Sequence, residues 1–284
     1  MQINGLTRTC GLIGNPVEHT LSPVIHNTLA ELMGINLTYV PFKVEKEELA
    51  SAIEGAYALN LLGLNVTVPH KENVIQHVTA LDDLAGTIGA VNTLVRTKKG
   101  YKGYNTDMPG LYRAMCSEQI AVDNSEVILL GAGGVARAVA VMLSKKAKQI
   151  YIMNRTVEKA EIIAKEVNSY AGKEVAKALP LDGYKELQGS YLAIQATNVG
   201  MYPNVDEVLI EDAEFYQKIH TGYDLIYNPG ETKFMKLVKQ AGSPAYNGLK
   251  MLLYQGIIAF ELWNQVTVSD EHAQIVYEKM KEYL

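Results

Sequence analysis

The sequence has little cysteine and no long apolar segment. Only two cysteines, Cys10 and Cys116, occur in 284 residues, which excludes a small disulfide-stabilised scaffold. No apolar run approaches the roughly 20 residues that a membrane-spanning helix needs. The N-terminus also lacks the basic segment and apolar core of a signal peptide. We therefore expect no membrane association and a reducing, cytoplasmic location.

An excess of positive charge is also missing, because 26 Lys and Arg face 31 Asp and Glu, for a net charge of −5. A nucleic-acid-binding protein normally shows a basic face, so we expect no nucleic-acid partner. His19 and His70 have no partner at metal-ligand spacing and the cysteines form no zinc pattern, so no metal is expected. A GxSxG motif is absent as well, which leaves a serine hydrolase without support.

The composition is that of an ordinary globular protein, with 48% hydrophobic and 20% charged residues, and the length allows about two domains. Short runs rich in Val, Ile and Leu alternate with segments of helical spacing, which predicts an α/β fold with mostly parallel sheets. Residues 92–107 break this alternation and are predicted to form a hairpin that turns at Lys99 and Gly100. The predicted strands are Thr9–Ile13, Leu37–Lys43, Leu61–Val66, Glu126–Leu130, Gln149–Met153, Leu192–Ala196 and Gly222–Ile226. The predicted helices are Pro23–Met33, Lys46–Leu59, Lys71–His77, Val135–Lys145, Val157–Tyr170, Lys233–Gln240, Gly248–Asn264 and Asp270–Tyr283.

A glycine-rich turn between a strand and a helix is the strongest local signal, in EVILLGAGGVARAVAVML. Gly131 permits the tight turn, and Gly133 lets a pyrophosphate approach the backbone. Ala136 is a small residue where helix packs on strand. Because the first N–H groups of a helix favour an anion, we interpret this segment as a dinucleotide site. A merely tight structural turn is the alternative.

The tip of the next strand favours NADP over NAD. An NAD site usually has an acidic residue there to accept from the ribose 2′-hydroxyl, whereas this strand ends in Asn154, Arg155 and Thr156. Arg155 supplies donors that suit a phosphate. Thr156 could also serve only as the N-cap of the following helix.

Two hydroxyls precede a predicted helix near the N-terminus, in GNPVEHTLSPVIHN. Pro23 at the first helical position with Ser22 as N-cap is a favourable helix start. Thr20 and Ser22 at a helix N-terminus could also bind a small carboxylate. The two interpretations are compatible.

Polar residues follow the apolar strand in GLNVTVPHKENV. Asn65, Thr67 and Lys71 lie towards its C-terminal end, which is where ligands bind in open α/β sheets. We expect Pro69 to start a helix and Lys71 to lie in its first turn, where a cation is slightly unfavourable. Lys71 is therefore a candidate acid or base, although a solvated surface lysine is the simpler interpretation.

Further polar residues occur downstream, in IGAVNTLV and GYNTDMPG. They are Asn92, Asn105 and Asp107. Asp107 could equally be the N-cap of a helix that begins near Pro109.

Taken together, these motifs resemble the shikimate dehydrogenase family. The matching stretches are GNPVEHTLSPVIHN, NVTVPHK, IGAVNT, GYNTD, GAGGVARA, NRTVEKA, YDLIYNP and NGLKMLLYQG, in the family's order over residues 11–256. The resemblance implies two α/β domains: an N-terminal substrate domain with a mainly parallel sheet, and an NADP-binding Rossmann domain, with the active site in the cleft between them. The motifs place the substrate domain at 1–107 plus 247–284 and the Rossmann domain at 108–246.

The resemblance further implies reversible reduction of 3-dehydroshikimate to shikimate by NADPH, a step of the shikimate pathway of aromatic amino acid biosynthesis, in a monomer or homodimer. Lys71 and Asp107 match the family's catalytic pair. The matching substrate positions are Thr20 and Ser22 for the carboxylate, Asn65, Thr67, Asn92 and Gln255 for ring hydroxyls, and Tyr227 for the carboxylate. The matching cofactor positions are Asp83, Gly131, Ala132, Gly133, Gly134, Val135, Ala136, Arg137, Asn154, Arg155, Thr156, Lys159, Thr197, Leu225 and Gly248.

Three positions depart from the family's pattern. Thr20 replaces a usual serine and leaves open a preference for quinate, which differs from shikimate at C1. Gln195 replaces a common asparagine, and Lys250 replaces a common glycine near the expected nicotinamide end. The alternatives are a quinate/shikimate dehydrogenase that could use NAD, a non-catalytic NADP-binding paralogue, which the presence of Lys71 and Asp107 disfavours, and another NADP dehydrogenase such as one acting on folates.

Overall fold

The computed structural model of this protein describes residues 3–284, and strands and helices alternate through most of that length. The strands are β1 (Arg8–Gly14), β2 (Leu37–Lys43), β3 (Gly63–Val66), β4 (Ala80–Leu81), β5 (Thr93–Thr97), β6 (Gly100–Tyr104), β7 (Glu126–Leu130), β8 (Gln149–Met153), β9 (Ala176–Leu179), β10 (Tyr191–Gln195), β11 (Ile219–Asp224) and β12 (Ala245–Tyr246). The α-helices are α1 (Ser22–Leu32), α2 (Leu49–Ala58), α3 (Asp83–Ile88), α4 (Asp107–Ser117), α5 (Gly134–Leu143), α6 (Val157–Ala171), α7 (Ala213–Gln217), α8 (Lys233–Gln240), α9 (Leu249–Asn264) and α10 (Asp270–Lys281). Among residues 3–284, no helix combines the length and the apolarity that a membrane span requires.

The chain divides into two compact units. Unit 1 contains the described residues up to Leu111 together with Leu252–Leu284, and unit 2 is the continuous segment Tyr112–Met251. Unit 1 is therefore built from both ends of the described chain.

The sheet of unit 1 has the order β2-β1-β3-β5-β6-β4. Strand β1 is parallel to both β2 and β3, β5 is antiparallel to β3 and β6, and β4 is parallel to β6. Pairing of Thr97 with Gly100 places the hairpin turn at Lys98 and Lys99. The predicted turn at Lys99 and Gly100 was therefore wrong by one residue.

A single tryptophan closes one part of the core of unit 1. Trp263 is 4% exposed, and its Nε1 donates a hydrogen bond to the Leu94 carbonyl oxygen at 2.9 Å. A Cβ at Gly63 would overlap the Trp263 ring, so only glycine allows α9 to approach β3 and β5 this closely. Residues near the C-terminus thus complete a core that begins at the N-terminus.

The sheet of unit 2 has the order β12-β11-β10-β7-β8-β9, and all its strands are parallel. If β7 to β12 are numbered 1 to 6, the order read from β9 to β12 is 3-2-1-4-5-6. This is the doubly wound order of dinucleotide-binding folds, and it confirms the expected Rossmann-type fold. Strand order reverses between β7 and β10, which is the switch point where such sheets bind ligands. Residues 127–130 of β7 are all buried, as a central strand covered on both faces requires.

The main errors of the sequence predictions lie at helix starts. The segment predicted as a helix from Lys71 is a turn followed by a short 3-10 helix, Asn73–His77. Lys71 therefore does not lie in the first turn of an α-helix, and the expected conflict with a helix dipole does not exist. Helix α1 begins at Ser22 with Leu21 at the N-cap and no side-chain cap, so the prediction of Ser22 as N-cap was also wrong.

Candidate functional site

An ion pair joins the two residues that the sequence nominates as an acid–base pair. Lys71 Nζ donates to Asp107 Oδ2 at 2.7 Å, and the two side chains are 34% and 19% exposed. Asp107 is the first residue of α4. It is therefore part of the helix and not the N-cap of a helix that begins near Pro109. Because both charges are partly open to solvent, a ligand can reach them without passing through the core.

The backbone around Lys71 is firmly held. Val91 N donates to the Lys71 carbonyl oxygen at 2.8 Å, and His70 N donates to the Thr67 carbonyl oxygen at 2.9 Å. The ring of His70 is buried and its Nε2 lies 2.8 Å from the Val44 carbonyl oxygen. The turn that presents Lys71 is thereby anchored on both sides.

Two amide side chains complete the surroundings of Asp107. Asn92 Nδ2 donates to Asp107 Oδ1 at 2.9 Å, so each carboxylate oxygen has its own donor. Gln255 Oε1 lies 3.4 Å from Asn92 Nδ2. A Cβ at Gly110 would lie 2.6 Å from the Gln255 backbone nitrogen, so this glycine lets α4 and α9 cross in backbone contact. The structure therefore brings Lys71, Asn92, Asp107 and Gln255 together.

Asn65 has a different environment from the one expected for a residue that binds a ring hydroxyl. It is 4% exposed, and its Oδ1 accepts from Tyr39 at 2.8 Å and lies 3.1 Å from His26 Nε2. Its Nδ2 donates to the Thr93 hydroxyl at 3.1 Å and to the Asn92 carbonyl oxygen at 3.3 Å. All four hydrogen-bonding positions of the amide are used within the protein. Thr67, by contrast, is half-buried.

The hydroxyls of Thr20 and Ser22 lie together at the start of α1. Thr20 Oγ1 accepts from the Ser22 backbone N–H at 3.2 Å and donates to Ser22 Oγ at 3.1 Å. Neither hydroxyl caps the helix. Two adjacent hydroxyls beside the first N–H groups of a helix form a suitable environment for a carboxylate.

The glycine-rich loop has the backbone that a phosphate cradle needs. Gly131 has φ +115°, and a Cβ there would lie 2.7 Å from Thr197 Cγ2. A Cβ on Gly133 or Gly134 would project into open space, so a ligand can approach the backbone there. Ala136 is fully buried and lets α5 pack closely, as expected. The residues present fit a dinucleotide pyrophosphate.

The remaining residues of this loop are Ala132, Val135 and Arg137. Ala132 is half-buried and Val135 is 52% exposed. Arg137 Nε donates to Glu166 Oε2 at 2.6 Å, which ties α5 to α6. The charge of Arg137 is therefore partly neutralised before any ligand binds.

The tip of β8 presents cations without acidic partners. Asn154 Nδ2 donates to the Thr156 carbonyl oxygen at 2.9 Å and shapes the turn. Thr156 occupies the N-cap of α6, yet its hydroxyl makes no capping bond. Arg155 and Lys159 are exposed, and neither pairs with a carboxylate within residues 3–284. These groups fit the 2′-phosphate that distinguishes NADP from NAD.

The chain after β11 carries three more predicted residues, Leu225, Tyr227 and Gly248. A Cβ at Gly248 would overlap the Leu225 carbonyl oxygen, so Leu225 and Gly248 are in direct backbone contact. Asp224 is fully buried, and it accepts from Ile226 N at 3.0 Å and from the Thr232 hydroxyl at 2.6 Å. Burial raises the pKa of Asp224 to about 6. Burial also raises the pKa of the half-buried Tyr227 hydroxyl.

Sequence reasoning missed several residues that support the site. Thr93 and Thr106 are buried and bonded to Asn92, and only their position beside Asn92 and Asp107 could have suggested them. Asp83, by contrast, is among the cofactor positions predicted from the sequence; it is the exposed first residue of α3, a helix capped by its neighbour Asp82.

The two departures in unit 2 have structural roles of their own. Gln195 Oε1 accepts from the Thr197 backbone N–H at 2.8 Å, and its Nε2 donates to the Val199 carbonyl oxygen at 2.9 Å. Lys250 pairs with Glu118 at 2.5 Å. In the described part of the chain, no group of three His, Cys, Asp or Glu residues is arranged to hold a metal ion.

Comparison with known proteins decides the family. A model described as the shikimate dehydrogenase substrate binding domain matches residues 12–94, and one described as shikimate / quinate 5-dehydrogenase matches residues 115–199. A relative from Desulforamulus reducens named shikimate dehydrogenase (NADP(+)) is 44% identical over 271 residues, 94% of this chain and 93% of the relative. The chain belongs to the shikimate dehydrogenase family.

Solved structures of shikimate dehydrogenases agree with the fold. One, a complex with NADP+, has a TM-score of 0.88 and 41% sequence identity, covering 98% of this chain and 97% of the other. Another, from Thermus thermophilus in complex with NADP(H) and shikimate, has a TM-score of 0.84 and 29% identity, covering 96% and 100%. The family resemblance expected from the motifs is confirmed.

Proposed function

We propose that this protein is an NADP-dependent shikimate dehydrogenase, an oxidoreductase that reversibly reduces 3-dehydroshikimate to shikimate in the shikimate pathway. The observation that carries the proposal is the Lys71–Asp107 pair at 2.7 Å. It joins an acid–base candidate to a carboxylate held by Asn92. Membership of the family and the name of the Desulforamulus reducens relative support the same activity.

Lys71 is the proton carrier in this proposal. When the C3 ketone is reduced, the Lys71 ammonium donates a proton to the C3 oxygen, and it takes the proton back in the oxidation of shikimate. Asp107 fixes Lys71 Nζ through Oδ2 and leaves Oδ1 with Asn92, so both catalytic groups are pre-positioned. Bound NADPH would supply the hydride that reaches C3.

Shikimate has one carboxylate and three hydroxyls, and the residues fit this set. Thr20 and Ser22 would bind the carboxylate, to which Tyr227 also donates, while Thr67, Asn92 and Gln255 would bind hydroxyls. For Asn65, direct contact with a hydroxyl would break a bond that the amide already makes.

NADP would be held mainly by the loop after β7 and the tip of β8. Backbone N–H groups of residues 131–137 would bind the pyrophosphate. Arg155, Thr156 and Lys159 would bind the 2′-phosphate, with Asn154 shaping their turn. Thr197, Leu225, Gly248 and Asp83 are proposed as further cofactor contacts.

Quinate is the second candidate substrate, because the second family model covers shikimate and quinate dehydrogenases alike. Thr20 keeps the hydroxyl of the family's usual serine and adds a methyl group. Quinate and shikimate differ at C1, next to the carboxylate. The Thr20 methyl group would lie beside this atom and would therefore affect the preference for one substrate over the other.

A spectrophotometric assay tests both candidates. Formation of reduced cofactor is followed at saturating NADP or NAD, each with shikimate or quinate. We expect the highest kcat/KM for NADP with shikimate. Absence of turnover with that pair would refute the proposed function, and faster oxidation of quinate would favour the second candidate.

We also propose a cytoplasmic location and a monomer or homodimer, which light scattering of the purified protein distinguishes. The proposed domain division is a substrate domain of residues 1–107 plus 247–284 and an NADP domain of residues 108–246. Expression of residues 108–246 alone tests it. The expected result is a folded fragment that binds NADP, and an unfolded fragment would contradict the division.

A further inference from the structure

A buried histidine lies behind the proposed substrate site without any role in the mechanism described above. His26 of α1 is fully buried. Its ring stacks on Tyr39, with centroids 4.2 Å apart and planes at 19°, and lies 4.9 Å from the Trp263 ring. Within residues 3–284 its Nε2 contacts Asn65, and its Nδ1 has no hydrogen-bond partner.

The orientation of the Asn65 amide follows from its neighbours. Asn65 faces the Asn92 carbonyl oxygen at 3.3 Å, and a carbonyl can only accept, so the atom facing it must be Nδ2. Oδ1 consequently faces Tyr39 and His26. Since an amide oxygen can only accept, the Nε2 atom of His26 must carry a proton.

The histidine is also neutral. Burial lowers its pKa to about 3, against a smaller opposite effect of the hydrogen bond to Asn65. A second proton on Nδ1 would be a buried donor without an acceptor, which costs free energy. His26 is therefore held as a single tautomer with one donor, and that donor points at Asn65.

The contacts of Asn65 lead on to the catalytic pair. Its Nδ2 donates to the Thr93 hydroxyl, which therefore has its own proton to donate to Asn92 Oδ1 at 3.2 Å. Asn92 Oδ1 also accepts from the Thr106 backbone N–H at 2.7 Å. With its oxygen held in this way, Asn92 turns Nδ2 towards Asp107.

We propose that His26 is a positioning residue, which as the neutral Nε2–H tautomer fixes the Asn65 amide and through it Thr93 and the Asn92 donor to Asp107. This inference rests on the proposed function for its catalytic consequence. Asn65 then supports the site from behind, which accounts for its four occupied hydrogen-bonding positions.

The tautomer can be tested without any activity measurement. Long-range ¹H–¹⁵N spectra of the full-length protein, with His26 assigned by comparison with His26→Phe, report which ring nitrogen is protonated. We expect the Nε2–H tautomer and no titration between about pH 5 and 8. An Nδ1–H tautomer, or titration within this range, would overturn the proposal.

Kinetics test the positioning role. His26→Phe keeps an aromatic ring in the stack but removes the donor, and we expect kcat to fall about 5- to 10-fold, the kinetic equivalent of one buried neutral hydrogen bond. KM for NADP should stay within about twofold of the wild-type value, because only the substrate side of the machinery is disturbed. His26→Gln places an amide donor near the position of Nε2 and should recover most of kcat.

The matched control is His272→Phe, which changes a histidine of α10 in the same unit and should leave kcat unchanged. Wild-type kcat in His26→Phe would contradict the proposal, as would a folded His26→Gln as slow as His26→Phe. If His26→Phe does not fold, the His26 signals of the wild-type protein are assigned with His26→Gln. The tautomer that these signals report then decides between the proposal and its rejection. Inactive wild-type protein would refute the proposed function and leave the tautomer test standing.

Discussion

Asp224 should make the stability of this protein fall as the pH rises. The carboxylate is fully buried at the end of β11 and accepts from Ile226 N and the Thr232 hydroxyl. These two bonds offset only part of the loss of hydration, so burial raises the pKa from 3.8 to about 6. Well below pH 3.8 the group is protonated in both the folded and the unfolded state and makes no difference.

The sign follows from proton binding. Between about pH 4 and 6 the folded state holds the proton more tightly than the unfolded state, so raising the pH favours unfolding. The rise in the pKa from 3.8 to about 6 corresponds to a loss of about 3 kcal/mol in the free energy of unfolding over the whole window, at roughly 1.36 kcal/mol per pKa unit. Between about pH 4.5 and 7 we expect about 2 kcal/mol of this loss.

The test compares the wild type with Asp224→Asn, which cannot ionise. Free energies of unfolding in urea, followed by far-ultraviolet circular dichroism, are measured at intervals of pH. As the pH rises from about 4.5 to 7, the free energy of unfolding of the wild type should fall by about 2 kcal/mol relative to that of the variant. Asp206→Asn, a change outside the core of the same unit, is the control. The free energy of unfolding of this variant should change with pH as that of the wild type does. A flat difference for Asp224→Asn, or one of opposite sign, would refute the reasoning.

Three further predictions concern activity. Lys71→Ala should lower kcat by on the order of 100-fold or more through loss of acid–base assistance, and a rise in KM alone would show that Lys71 only binds. Arg155→Ala should raise KM for NADP about 10- to 100-fold, as expected for lost charge-assisted hydrogen bonds, whereas an equal effect with NAD would contradict a phosphate-binding role. Thr20→Ser should raise the quinate-to-shikimate ratio of kcat/KM about tenfold, because removal of one methyl group makes room at C1. An unchanged ratio would show that Thr20 does not contact this part of the substrate.

The sequence predicted best those elements whose apolar runs have sharp polar boundaries. The predicted bounds of β2, β7, β8 and α8 agree with the structure to the residue. Short elements such as β4, α7 and β12 were missed, because a segment of two to five residues shows no periodicity. The turn before Asn73 was mistaken for an α-helix because proline at a helix start and proline in a turn look alike in sequence.

The same limit applies to the candidate site. Motifs nominate residues that lie near one another in sequence or in a known pattern, such as Lys71 and Asp107. The hydrogen-bonded residues behind them, His26, Tyr39 and Thr93, come from three separate elements, and each resembles an ordinary core residue on its own. Their link depends on the directions of donors and acceptors, which only the folded structure reveals.

The contact of Trp263 with Leu94 and Gly63 bears on how the chain is made. A ribosome synthesises all of Tyr112–Met251 before it adds most of α9 and α10, so the sequence of unit 2 is complete before that of unit 1. The strands of unit 1 are synthesised before unit 2, but Gln255 and Trp263 are added only with the segment Leu252–Leu284. Synthesis of unit 1 thus begins before that of unit 2 and ends after it, and in the interval the apolar residues that pack against Trp263 lack this partner.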